Sequence, residues 1–157
     1  QSRSSAASDV YKRQAHDCII GNNCVIVNGV QIAGHVKIDK YAIIGGGTLV
    51  HQFVKIGEHS MVAGGSLIRK DVPPFCKAGK EPLSYGGVNS IGLKRRDFSS
   101  DQINEIQNIY RILYLEGRNN SQAIEKIEKD IPKSKEKNIV LNFIKNSERG
   151  IIKGLLD

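Results

Sequence analysis

His16, His35, His51 and His59 are the chain's four histidines, with Asp17 directly after His16 and Gln52 directly after His51. A neutral imidazole can take a proton from an alcohol, and a neighbouring carboxylate can fix the tautomer that does so. Asp17 is the residue to orient His16 in this way. Three imidazoles can instead hold zinc, as on the parallel β-helix of a gamma-class carbonic anhydrase. Against zinc, no two of these histidines share close spacing and no acidic residue stands ready to serve the metal. Either chemistry needs side chains far apart in the sequence to converge, so the elements that carry them come next.

From Ile20 every sixth residue is aliphatic: Ile20, Ile26, Ile32, Ile38, Ile44, Val50, Ile56, Val62 and Ile68. With Ile, Val and Leu making up about one residue in four, nine such matches have a chance probability on the order of 1 in 10⁵ at a fixed phase. Four places after each stands a small or β-branched residue: Cys24, Val30, Val36, Ala42, Thr48, Val54, Ser60, Ser66 and Val72. Period six is neither helical nor that of a sandwich strand. It marks a parallel β-helix of hexapeptide repeats, in which the aliphatic fills the axis of a triangular prism. Three hexads make one coil, so residues one coil apart stack at roughly the 4.8 Å strand spacing. The columns are then Ala15, Ala33 and His51; His16, Gly34 and Gln52; Asp17, His35 and Phe53. His16, Asp17, His35, His51 and Gln52 are therefore expected on one edge. Cys18 and Cys24 fall in the small register and read as core filling.

The hexad phase ends at Val72-Pro73-Pro74, where proline withholds backbone donors. Before it, Gln14 stands where an aliphatic is due, and residues 1–14 read as a leader foreign to the repeat. The expected organisation is a leader over 1–14, a β-helix over 15–74, an irregular connection over 75–98 and a helical domain over 99–157. In the last part Ser99-Ser100-Asp101-Gln102 offers a capping box, with Ile103, Ile106, Ile109, Tyr110 and Leu113 on one face and Gly117 as a stop. A second helix starts at Asn120 or Ser121 and closes at Pro132, and Ser134 opens a third.

Charged residues make up 25%, with 23 Lys and Arg against 16 Asp and Glu, a formal charge of +7. This balance suits a phosphorylated substrate, an acidic protein or nucleic acid, but no zinc-finger spacing, stacking motif or helix-turn-helix supports the last. No apolar run approaches a membrane span, and three cysteines, none in a CxxC pair, fit reduced thiols in a cytoplasmic protein.

Ala15-His16-Asp17-Cys18, Ala33-Gly34-His35-Val36, Val50-His51-Gln52-Phe53, Asp71-Val72-Pro73-Pro74 and Asn89-Ser90-Ile91-Gly92-Leu93-Lys94-Arg95-Arg96 occur in that order. Together they strongly resemble the acyl-carrier-protein–UDP-N-acetylglucosamine O-acyltransferases of lipid A biosynthesis, over residues 15–157. The resemblance implies a left-handed β-helix assembled as a homotrimer with sites between subunits. It also implies transfer of a 3-hydroxyacyl group from acyl carrier protein to the sugar 3-hydroxyl, without cofactor or metal. By the same match His16 is the general base, Asp17 orients it, and the Gly34 N–H stabilises the oxyanion. His35, His51 and Gln52 line the sugar-nucleotide pocket, Asn89 and Arg95 hold the UDP moiety, and Gly64 is the acyl-chain ruler. Some members carry an acidic residue at the position of Ile91. A UDP-sugar N-acyltransferase with the same repeat is the nearest alternative, and a purely structural β-solenoid another.

Overall fold

The computed structural model describes residues 13–14 and 16–154. Residues 1–12, 15 and 155–157 lie outside the described residues, and with them most of the expected leader and the Ala15 place in its column.

Each hexad folds as a two-residue strand and a tight corner. The strands are β1 (Arg13–Gln14), β2 (Ile19–Ile20), β3 (Val25–Ile26), β4 (Gln31–Ile32), β5 (Lys37–Ile38), β6 (Ile43–Ile44), β7 (Leu49–Val50), β8 (Lys55–Ile56), β9 (Met61–Val62) and β10 (Leu67–Ile68). They stack in parallel, one coil on the next: Ile19 on Lys37 on Lys55, Val25 on Ile43 on Met61, Gln31 on Leu49 on Leu67. The prism thus has three faces, β1-β4-β7-β10, β2-β5-β8 and β3-β6-β9, wound as a left-handed parallel β-helix. In β2 to β10 the second residue points inward, so the period-six aliphatics are all buried. Burying each contributes about 1.5–3 kcal/mol. Cys18 and Cys24 are buried beside them, their thiols facing the Ala33 and Asp39 carbonyls at 3.0 Å.

The corners repeat as strictly as the core. Asp17, Asn23, Gly29, His35, Tyr41, Gly47, Phe53, His59 and Gly65 all have positive φ, between 57° and 79°. One edge of the prism is made only of the glycines, for which this conformation costs little. The other two edges place Asp17, His35, Phe53 and Asn23, Tyr41, His59 there, where an L side chain is strained.

Three boundaries differ from expectation. The ladder reaches back to Arg13–Gln14, whose backbone pairs with Gln31–Ile32. Val72 pairs with Ile56, not in the small register, because the coil after Ile68 is two residues short. The β-helix therefore runs on past the two prolines into β11 (Cys76–Gly79), where Lys77 lies on Met61 and Ala78 on Val62. Residues 75–98 are not irregular either. Strand β12 (Ser84–Val88) folds back antiparallel on β11, and helix α1 (Ser90–Arg95) follows.

The helical part matches its caps. Helix α2 (Ser100–Tyr114) begins with the Ser99–Gln102 capping box, α3 (Asn120–Asp130) with a second box from Asn119 and Gln122, and α4 (Lys135–Lys145) with Ser134 alone. Each box satisfies backbone donors that an open helix start leaves unpaired. Tyr110, buried in α2, donates its hydroxyl to the Pro74 carbonyl and ties the helices to the last coil. Buried Asp71 accepts from the Lys55 N–H at 2.8 Å and the Ser147 hydroxyl at 2.5 Å. Among the described residues no helix is long and apolar enough to cross a membrane.

Candidate active site

The edge between the β1-β4-β7-β10 and β2-β5-β8 faces carries the predicted cluster. His16 and Asp17 end one coil segment, and their neighbours one coil on are Gly34 and His35, held there by the His35 N–H donating to the His16 carbonyl at 3.0 Å. Asp17 Oδ2 lies 2.9 Å from His16 Nε2 and 3.8 Å from His35 Nδ1, so one carboxylate stands between two imidazoles. With Nε2–H donated to Asp17, His16 keeps the Nδ1 lone pair for a proton from solvent or substrate. His35 meets His16 edge-on at 6.0 Å and stacks flat on Phe53 at 4.8 Å. Phe53 is an exposed member of the site that the polar pattern passed over; its corner phase, one coil above His35, is the signal that finds it.

Gly34 leaves the cluster open. Among the described residues, a Cβ there would meet only the His16 carbonyl, at an ordinary 3.6 Å. Its N–H donates to no backbone carbonyl among the described residues. His51 and Gln52 occupy the same edge one coil further and are exposed. The cluster in contact is thus His16, Asp17 and His35, with the other two beside it.

The remaining predicted residues sit elsewhere. Gly64 is exposed on the glycine-edge side, where an added Cβ would come within 3.1 Å of the Gly46 carbonyl. Arg95 is exposed at the end of α1. Asn89, the residue before α1, is buried and donates its amide to the His59 carbonyl at 3.0 Å. Ile91 is exposed on the same short helix.

His59 is the histidine that the cluster leaves out. It is buried on the next edge, stacked between Tyr41 at 4.9 Å and Phe75 at 5.8 Å, with Phe98 edge-on. Burial and the nearby Arg96 guanidinium push its pKa down to about 4. The thiol of Cys76 is likewise raised well above its usual range by burial. Among the described residues no three His, Cys, Asp or Glu side chains gather as a metal site.

A left-handed β-helix with a histidine–carboxylate edge and a hairpin-and-helix cap defines a class of hexapeptide-repeat proteins. Residues 71–152 match the family model described as UDP N-acetylglucosamine O-acyltransferase, domain 2. The chain is 40% identical over 143 residues to the acyl-[acyl-carrier-protein]–UDP-N-acetylglucosamine O-acyltransferase of Thiobacillus denitrificans, covering 91% of this chain and 55% of that protein. It is 40% identical over 141 residues to the enzyme of the same name from Aliarcobacter butzleri, covering 90% and 54%. The crystal structure of the Bacteroides fragilis UDP-N-acetylglucosamine acyltransferase superposes with a TM-score of 0.87 at 47% identity, over 88% of this chain and 55% of that one. The Francisella novicida enzyme gives 0.85 at 35% identity, over 90% and 55%. The chain spans about half the length of the relatives it matches. It belongs to the UDP-N-acetylglucosamine O-acyltransferase family.

Proposed function

We propose that this chain forms part of a cytoplasmic acyltransferase that moves a 3-hydroxyacyl group from acyl carrier protein to the 3-hydroxyl of UDP-N-acetylglucosamine, the first step of lipid A synthesis. The observation that carries it is the Asp17 carboxylate 2.9 Å from His16, beside an unobstructed Gly34. His16 takes the sugar hydroxyl proton as the oxygen attacks the thioester carbonyl. The resulting oxyanion receives the Gly34 N–H, a preorganised donor of the kind whose loss costs about 2.7–4 kcal/mol. Collapse breaks the carbon–sulfur bond, and the imidazolium returns its proton to the departing thiolate. Asp17 stabilises that imidazolium and holds the ring. His35, His51 and Gln52 line the sugar side, and Arg95 holds the nucleotide as a charge-assisted phosphate donor, while Asn89, buried with its amide on the His59 carbonyl, anchors the start of α1 instead. No cofactor is needed, because the acyl group arrives activated.

The exposed apolar residues support a homotrimer. Val25, Val27 and Met61 flank the glycine edge on one face and Leu49 on the other, each at least 40% exposed in the isolated chain. Subunit contact would remove them from water. Sedimentation of a full-length protein carrying this chain should give a trimer, and a clean monomer at micromolar concentration overturns it.

In that protein His16→Ala should lower kcat by roughly 10²–10⁴ with sugar-nucleotide binding retained. Lost binding with nearly intact turnover would reassign His16 to the pocket wall.

A further inference from the structure

Helix α1 has six residues, too few to hold its own shape in water, yet on the reading above its terminal Arg95 must meet a nucleotide. Something else has to fix it. Its two ends are both gripped by one residue of the β-helix. The Asn89 amide donates to the His59 carbonyl at 3.0 Å, and an Arg96 guanidinium N–H donates to His59 Nδ1 at 3.2 Å. The ring is itself immobilised between Tyr41 and Phe75, and Tyr41 also lies under the Arg96 guanidinium, 5.2 Å from its centroid. Accepting at Nδ1 places the imidazole proton on Nε2, which faces Glu58 at 3.7 Å. The surrounding cleft, about 230 Å³, is also lined by Lys40, Lys135 and Glu136.

We propose that His59 is a positioning residue for the nucleotide end of the site: as a neutral imidazole it accepts Arg96 while its carbonyl accepts Asn89, and so sets where α1 presents Arg95. His59 touches no substrate. The inference rests on the assignment of Arg95 to the nucleotide, and its test separates the two.

His59→Phe keeps the stack and removes the acceptor, and Phe53 and Phe75 already occupy equivalent corners at φ of 65° and 67°. His59→Asn returns an acceptor on a residue that tolerates this conformation. In a full-length protein, His59→Phe should raise the KM for UDP-N-acetylglucosamine about ten-fold or more, with kcat within about two-fold, and His59→Asn should recover most of the KM. Equal falls in kcat and KM-independent losses in both variants, or no change in either, overturn the proposal. A direct reading comes from the imidazole ¹⁵N spectrum, in which Nδ1 should appear as a hydrogen-bonded acceptor that changes in Arg96→Gln. An unchanged spectrum overturns the contact whether or not the His59 variants fold. If instead Arg95→Ala leaves KM untouched while the spectrum responds to Arg96→Gln, the nucleotide assignment fails and the His59–Arg96 contact stands.

Discussion

Two glycines of the β-helix, Gly45 and Gly34, should respond to alanine in opposite ways. Gly45 follows the inward Ile44, and its backbone passes so close to the next coil that an added Cβ would sit 2.3 Å from the Gly64 nitrogen and 2.6 Å from its Cα. Both neighbours are backbone, so no side chain can swing aside. To reach ordinary contact the coils must part by about 1 Å, a strain on the scale of overpacking, about 1–3 kcal/mol. That movement stretches the bonds from Gly45 N–H to the Val62 carbonyl and from Gly65 N–H to the Gly46 carbonyl, now 2.9 and 2.8 Å, each worth about 1 kcal/mol. Gly45→Ala should therefore cost about 3–5 kcal/mol. Among the described residues Gly34→Ala meets only the His16 carbonyl, at 3.6 Å, and Gly34 has no left-handed φ. It should be neutral or stabilise by up to about 1 kcal/mol, by restricting the unfolded chain. Urea unfolding of both variants in a full-length protein measures the contrast. A Gly45→Ala loss under about 1 kcal/mol would refute the idea that coil stacking dictates glycine there. For Gly34→Ala the methyl enters substrate space, so turnover should fall with stability intact.

The depressed pKa of His59 carries a pH signature. Unfolded, the ring takes a proton near pH 6.5; folded, only near pH 4. The unfolded chain binds more protons between those values, so stability falls as pH drops through that window, by up to about 3 kcal/mol from this residue. Burial raises the pKa of Glu58 and Asp39; the folded state then holds their protons more tightly, which offsets part of the loss. Urea midpoints at pH 7 and 4.5 should converge more closely in His59→Phe than in the parent, and an unchanged gap would show that the ring does not titrate there. Gly64→Met, which needs the Gly46 carbonyl to yield a few tenths of an ångström, should shift preference toward shorter acyl chains if Gly64 is the ruler. Equal loss at every chain length, measured with carrier-protein substrates of graded length, would make it a folding residue instead.

Much of this molecule is local in origin and was legible for that reason. Each hexad closes the same strand and corner whatever lies far away, so the aliphatic phase from Ile20 to Ile68 is enough to place His16, Asp17 and His35 on one edge. The helix starts at Ser99 and Ser134 are equally local, because a cap acts within one turn. The contacts within the site were less legible: Phe53 carries no polar signal, yet its ring stacks on His35. The continuation past the prolines was hidden, since Val72 fits the small register by count and reveals its place above Ile56 only once the coil has shortened by two residues. His59 shows the same division. Its corner phase follows from the repeat, but its burial, its neutral ring and its grip on α1 come from Arg96, Phe98 and helix α4, which reach it only when the chain after the last coil folds back along the prism. A spacing rule reads one coil against the next; it carries no information about which distant side chain will cover an edge, and that is settled by packing.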